Sequence, residues 1–221
     1  MKMDQHSFTP LAKRGLYWSE PKVLFVADLH LGKEATFCRE GIAVPRGASE
    51  RTLKVIAQML QQTAASQLMI LGDLFHAKSS LAADMRDLFE SFLLRMTGVH
   101  VTLVKGNHDR AVGELPTQWP MTIVESPYLF GGIELSHFPD QATPECELRI
   151  AGHVHPAVRL RGGGQAEGKL ACFHYDAKQR CLTLPAVGEF TGTKQIRPVG
   201  QDRVWVVSED EVIEIDRRHV V

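Results

Sequence analysis

Five short clusters of carboxylate, imidazole and amide side chains lie between residues 28 and 155: Asp28-Leu29-His30, Gly72-Asp73-Leu74-Phe75-His76, Gly106-Asn107-His108-Asp109, Ser136-His137 and Gly152-His153-Val154-His155. A shuffled chain of this composition would hold roughly 0.5 copies of D-x-H, so that pattern alone says little. G-H-x-H is expected roughly 0.04 times and G-N-H-D roughly 0.0002 times, so these two are specific. Mixed carboxylate and imidazole ligands suit Mn, Fe or Zn, whereas Mg and Ca prefer all-oxygen shells. One carboxylate shared by two cations about 4 Å apart holds a hydroxide between them, and both cations neutralise a phosphoryl group in transfer. That hydroxide is nucleophilic at neutral pH because the metals lower the pKa of bound water. An imidazole just outside the metal shell can protonate the leaving oxygen, with a carboxylate beside it to hold its tautomer.

Such a cluster set has to be positioned by regular elements, and the pattern supplies them. Val23 to Ala27 and Leu68 to Leu71 are buried strands that end in polar turns, and Val99 to Val104 is a third, ending at Gly106-Asn107. Ala48 to Thr63 and Leu81 to Met96 carry apolar residues at helical spacing between them. Strand, helix, strand, helix, strand predicts a parallel sheet with crossover helices, whose ligand site lies beyond the carboxyl ends of the strands. After Trp119 the rhythm changes to short strands: Met121 to Val124, Tyr128 to Leu135, Leu148 to Ala151, Ala157 to Leu160, Leu170 to Tyr175, Cys181 to Leu184 and Val204 to Ile215. They predict a second, mostly antiparallel sheet packed on the first, with turns at Gly131-Gly132, Gly162-Gly163-Gly164 and Gly188. A single domain over residues 1–221 is expected.

The chain has 221 residues, 25 basic and 26 acidic, a formal net charge of -1. A protein held on nucleic acid by bulk positive field is disfavoured, though a local basic surface is compatible with this balance. Cys38, Cys146, Cys172 and Cys181 form no C-x-x-C pair, which argues against structural zinc. Met1 to Arg14 lacks the apolar core of a signal peptide and no apolar run is long enough to span a bilayer, so the expectation is a cytoplasmic protein with reduced thiols and no membrane partner. Cys172 and Cys181 could face each other across a hairpin, and as cytoplasmic thiols they need not be bonded.

The order DLH, GDLFH, GNHD, H, GHVH resembles the calcineurin-like metallophosphoesterase superfamily. The resemblance implies an α/β four-layer sandwich, two mixed β-sheets flanked by helices. It implies that Asp28, His30, Asp73 and His155 hold a first metal, and that Asp73 bridges to a second completed by Asn107, His137 and His153. His108 would be the acid or transition-state stabiliser, oriented by Asp109. DLHLG with GDLFH also resembles the SbcD-type repair nucleases, which makes His76 a phosphate-contacting candidate. ADLHLGKEATF, GIAVPRG, LGDLFH, KGNHD, GHVHP and LPAVGEFTG together are similar to the ligase-associated DNA-damage-response endonuclease family, often called PdeM. Val187 and Thr193 depart from that family's usual LPAFG and TGG, in what reads as a peripheral loop. That resemblance implies two divalent ions, Mn2+ first with Fe or Zn as alternatives. It also implies a phosphodiesterase acting on single-stranded DNA in repair, associated with an ATP-dependent DNA ligase and a helicase.

Outside the motifs, Lys33, Arg39 and Arg46 are candidates to line a phosphate backbone, although Glu34, Glu40 and Glu50 interleave with the basic residues of that segment and a solvated face is an equal reading. Phe37 is a candidate base-stacking residue or a packing anchor in a loop. Two other functions fit the same fold: a phosphodiesterase for cyclic nucleotides or other small diesters, and a non-catalytic scaffold, which the full set of expected ligands disfavours.

Overall fold

Val23 to Ala27 send alternate side chains into two different cores. Leu24 and Val26 pack with the helices, while Val23, Phe25 and Ala27 pack against the second half of the chain. The computed structural model describes residues 1–3, 6–162 and 165–221. The first sheet runs in the order β1 (Lys2–Met3), β2 (His6–Pro10), β3 (Leu16–Trp18), β4 (Val23–Val26), β5 (Gln67–Leu71), β6 (His100–Val104) and β7 (Met121–Val124). Its centre is parallel, with Val26 opposite Ile70 and Ile70 opposite Leu103. The crossovers are α1 (Lys33–Arg39) with α2 (Ala48–Thr63), and a 3-10 turn (Lys78–Leu81) with α3 (Ala83–Arg95); a short α4 (Asn107–Val112) follows β6. Leu53, Ile56 and Leu60 of α2 and Phe89, Phe92 and Leu93 of α3 form the stripes that close the first core against Leu68, Ile70, Val101 and Leu103.

The second sheet holds β8 (Tyr128–Phe130), β9 (Ile133–Leu135), β10 (Arg149–Ala151), β11 (Pro156–Gly162), β12 (Gln165–Asp176), β13 (Cys181–Thr183) and β14 (Lys194–Gln195). Its order is β14-β11-β12-β13-β10-β9-β8, and β15 (Arg203–Val207) pairs with β12 and with β16 (Val212–Ile215). Most pairs are antiparallel, but β10 runs parallel to both β9 and β13, and β14 parallel to β11, so both sheets are mixed. The facing sides of the two sheets share one apolar core, including Phe25, Met69, Leu71, Ile150, Phe173 and Leu182.

Several expectations change. Met121–Val124 joins the first sheet, parallel to β6, because its partner is a matter of tertiary pairing and not of local pattern. The run from Val204 to Ile215 is two strands, broken between Val207 and Val212. Phe37 sits in a helix and not in a loop. Cys172 and Cys181 do not face each other: Cys172 pairs with Val206, and Cys181 with Asp176 and Arg149. The turn expected at Gly162 to Gly164 involves Gly163 and Gly164, which lie outside the described residues. Among the described residues, no helix is long and apolar enough to cross a membrane.

Candidate metal centre

Each cluster sits where a strand stops. Asp28 and His30 follow β4, Asp73 follows β5, and Asn107 and His108 open α4 after β6. His137 follows β9, and His153 and His155 lie between β10 and β11. Since β4, β5 and β6 are parallel, their carboxyl ends open on one edge, the position in which open α/β sheets collect ligands.

There the side chains converge in two sets that share Asp73. Its Oδ2 lies 3.8 Å from His30 Nε2, and its Oδ1 lies 3.4 Å from His137 Nε2. On the first side, His30 Nε2 and His155 Nε2 are 3.4 Å apart, and His155 Nε2 is 3.6 Å from Asp28 Oδ2. On the second, His137 Nε2 lies 2.9 Å from Asn107 Oδ1 and 3.0 Å from His153 Nδ1. The potential ligand atoms of Asp28, His30 and His155, and likewise those of Asp73, His137 and His153, all fall within 4.8 Å of one another.

The hydrogen bonds behind these rings decide which nitrogen faces inward. His155 Nδ1 donates to the Gly192 carbonyl at 2.8 Å, and His137 Nδ1 to the Leu71 carbonyl at 3.2 Å. A carbonyl only accepts, so in each neutral ring the proton is on Nδ1 and the lone pair of Nε2 points into the site. Asp28 Oδ1, buried, has no hydrogen-bond partner. Carboxylate oxygens and imidazole lone pairs packed this closely are a donor set for cations, and the residues fit two of them.

Desolvation leads the electrostatics. Burial, then the charge of Lys33, pushes His30 down to about 2, so its ring is neutral. Burial also lowers His153, with the neighbouring His137 adding to it. For His155, burial works downward but the hydrogen bond and charge of Asp28 outweigh it, and the net shift is upward. Asp73 is raised, by burial first and by the nearby Asp28, against the lowering influence of His137.

The backbone is bent to make this convergence. Asp28, His30, Asp73, His153 and His155, five of the seven candidate ligands, have φ between 46° and 70°, the left-handed region that non-glycine residues rarely enter. Two glycines clear the space. Gly72 has φ of 77°, and a Cβ there would collide with the His137 ring; a Cβ on Gly106 would collide with Asp73 Oδ1.

His108 and His76 stand beside the first set. Their rings stack with centroids 5.2 Å apart at 24°, and the reactive nitrogens of His30, His76 and His108 lie within 4.8 Å of one another. His108 Nδ1 donates to the His76 carbonyl, and His108 Nε2 is 3.9 Å from Asp73 Oδ2. Burial, with Lys33 and His108, pushes His76 down to about 4.

Asp109 does not orient His108 as expected. Its buried carboxylate accepts the backbone N–H groups of Asp73, Leu74 and Gly106 instead, at 2.8, 2.9 and 2.8 Å. Lys33 is at the site: burial lowers its pKa while Asp73 supports its charge. Arg39 is exposed and bonded to Thr36 and Ser79, and Arg46 is exposed, its carbonyl accepting from Arg51. The loop around Val187 is not peripheral. Val187 N–H bonds the Ala27 carbonyl, Gly188 N–H bonds the Asp28 carbonyl, and Gly192 holds His155. Sequence reasoning missed these supports because they are backbone groups; the LPAVGEFTG match was the available signal.

The family model for calcineurin-like phosphoesterases matches residues 21–206. The chain is similar to the crystal structure of a nuclease, MPE, from Pseudomonas putida, at 31% identity and a TM-score of 0.83 over 97% of this chain and 98% of that one. A protein of unknown function from Aquifex aeolicus shares 21% identity over 60% of this chain and 78% of its own, with a TM-score of 0.42. No curated protein matches the chain.

Proposed function

The chain belongs to the calcineurin-like phosphoesterase family, hydrolases of phosphoric ester bonds, and on that premise we propose that it is a phosphodiesterase that cuts single-stranded DNA internally, in DNA repair. The observation that carries the reading is Asp73, which turns one carboxylate oxygen toward each of two imidazole sets. Asp28, His30, Asp73 and His155 would hold one cation, and Asp73, Asn107, His137 and His153 would hold the other. When bound, two divalent cations neutralise the phosphoryl group in transfer and activate the attacking water. The mixed nitrogen and oxygen donors suit Mn, Fe or Zn better than Mg or Ca, and the motif resemblance puts Mn2+ first among them.

The remaining residues handle the proton and the phosphate. With Nδ1 donating to the His76 carbonyl, His108 turns Nε2 toward the site, where its doubly protonated form would pass a proton to the leaving oxygen. His76, kept neutral, offers its ring edge to a phosphoryl oxygen from beside His108. Lys33 compensates backbone charge at the rim. Asp109 is a positioning residue that fixes the Asp73 and Gly106 turns. The relationship to a nuclease over nearly the whole chain supports a nucleic-acid substrate and one domain over residues 1–221. The proposal includes a cytoplasmic setting, which suits the unpaired thiols, and work alongside an ATP-dependent DNA ligase and a helicase, as the motif resemblance implies.

The test is cleavage of circular single-stranded DNA by metal-stripped protein reloaded with manganese, with Asp73→Asn purified in parallel. A circle has no ends, so its linearisation by the wild type alone establishes an endonuclease that depends on Asp73. A circle left intact while a small chromogenic diester is hydrolysed removes DNA from the proposal. Equal cleavage by Asp73→Asn removes the shared-carboxylate mechanism.

A further inference from the structure

Two phenylalanines at the rim of the site fill no core. Phe37 of α1 and Phe190, in the loop between β13 and β14, are each partly exposed, and neither belongs to any of the three apolar clusters. Their rings meet edge to face, with centroids 6.5 Å apart at 73°. Lys33 Nζ lies 5.8 Å from the Phe37 centroid, and Lys33 is the cation whose field reaches His30, His76 and Asp73.

Phe190 is also held in a conformation its residue type disfavours. Its φ is 56°, in the left-handed region, where a bulky side chain is strained. Such a residue persists only when its surroundings over-determine it. Here four contacts do so. Gly188 N–H donates to the Asp28 carbonyl at 3.2 Å, and Thr191 Oγ1 to the Gly188 carbonyl at 2.9 Å. His155 Nδ1 donates to the Gly192 carbonyl at 2.8 Å. Arg51 grips both oxygens of Glu189, at 2.8 and 2.6 Å. Two of these anchors are candidate metal ligands, so the ring is fixed relative to the metal centre itself. An apolar side chain outside the core, strained and clamped at a polar site, is arranged in advance for a ligand.

We infer that Phe37 and Phe190 form an aromatic subsite for the nucleobase next to the phosphate that is cut, with Lys33 compensating the backbone charge between that base and the metal ligands. The inference rests on the nucleic-acid reading above and adds to it the part of the substrate that is not phosphate. Aromatic faces accept any base, so the subsite recognises single-stranded character and not sequence. A paired, stacked base cannot reach it.

The test compares two labelled strands of equal length, an oligodeoxythymidylate and an abasic phosphodiester strand, binding to the full chain in chelator so that nothing is cut, by fluorescence anisotropy. The wild type should prefer the base-bearing strand about tenfold, as expected for stacking on an aromatic pair. Phe37→Ala and Phe190→Ala should bring that preference close to one while the abasic strand binds within about twofold of wild type. Phe37→Leu and Phe190→Leu, which keep apolar bulk, should lose most of it too, and Phe190→Gly, which relaxes the backbone, should resemble Phe190→Ala. Undiminished preference in the alanine variants overturns the subsite, as does an equal loss on both strands. Wild-type binding to both strands without preference overturns the subsite and leaves the nuclease reading standing. Wild-type binding to neither strand, in chelator and again with manganese on cleavage-resistant phosphorothioate strands, while a chromogenic diester is still hydrolysed under manganese, overturns the nucleic-acid reading itself.

Discussion

Asp109 controls Asp73 without touching its side chain. The Asp109 carboxylate accepts the Asp73 backbone N–H at 2.8 Å, and also those of Leu74 and Gly106, so it ties the turn after β5 to the turn before α4. The Asp73 side chain returns the connection: its Oδ1 accepts the His108 N–H at 3.0 Å. Removing the Asp109 carboxylate leaves three buried donors unsatisfied, at about 1–3 kcal/mol each. Asp109→Ala should therefore lose about 3 kcal/mol or more of stability in urea denaturation of the metal-free protein, and should bind manganese more weakly by calorimetry. Unchanged stability would mean that water replaces the carboxylate.

His108 is a member of neither ligand set: its ring Nδ1 is held by the His76 carbonyl, and only its backbone N–H bonds a candidate ligand, Asp73 Oδ1. His108→Ala should keep its metal content by elemental analysis while turnover falls about 100- to 10,000-fold, the usual range for a lost general acid. Loss of metal from this variant would reassign His108 as a ligand.

Gly72 has no room for a methyl group, since a Cβ there meets His137 and the Gly106 Cα, and its φ of 77° suits glycine alone. Gly72→Ala should destabilise the fold by about 1–3 kcal/mol, and manganese titration should show a weakened second site, because His137 must move. A variant with both properties intact would show that the turn can relax around the added carbon.

Cys38 is exposed, whereas Cys146, Cys172 and Cys181 are buried and free. One thiol should react promptly with a disulfide reagent in the native protein and four after denaturation. Burial pushes the Cys172 and Cys181 thiols from 9.0 up to about 12. Between these values the unfolded chain has released protons that the native chain retains, so unfolding is favoured as pH rises. The contribution of these two thiols to stability should be level below pH 9 and fall between pH 9 and 12, in a two-proton slope that Cys172→Ala with Cys181→Ala flattens in alkaline denaturation curves.

What was legible in the sequence was whatever is local. Leu53, Ile56 and Leu60 repeat at helical spacing over several turns, and α2 runs over Ala48–Thr63 as read. The short α1 buries no residue of its own, so it leaves no periodic trace. The strands β1, β2 and β3 carry no apolar run like that of β4, so they do not stand out from a polar segment. The site follows the same rule. Its side chains are contiguous motifs, and the structure gathers the seven candidate ligands and His108. The partners that set their tautomers, the Leu71, His76 and Gly192 carbonyls, belong to the backbone and have no residue identity to read. Asp109 looked like a partner for its neighbour because adjacency is visible in a sequence, whereas its bonds to Asp73 and Leu74 span 36 and 35 residues.

The alternation of β4 and β5 between two apolar cores bears on how the chain finds its alignment. When one face of a strand meets water, a slip of one residue exposes oil and is rejected; the pairing is thereby proofread. Val23–Val26 is buried at every position, so a slipped β4 would merely trade one greasy surface for another. The discrimination falls to the segment beyond the strand, where Asp28 N–H meets the Gly72 carbonyl, His30 N–H the Asp73 carbonyl and Leu31 N–H the Leu74 carbonyl. Those bonds form only when the two motifs stand level. The residues that would do the chemistry thus also act as the alignment marks of the sheet beneath them.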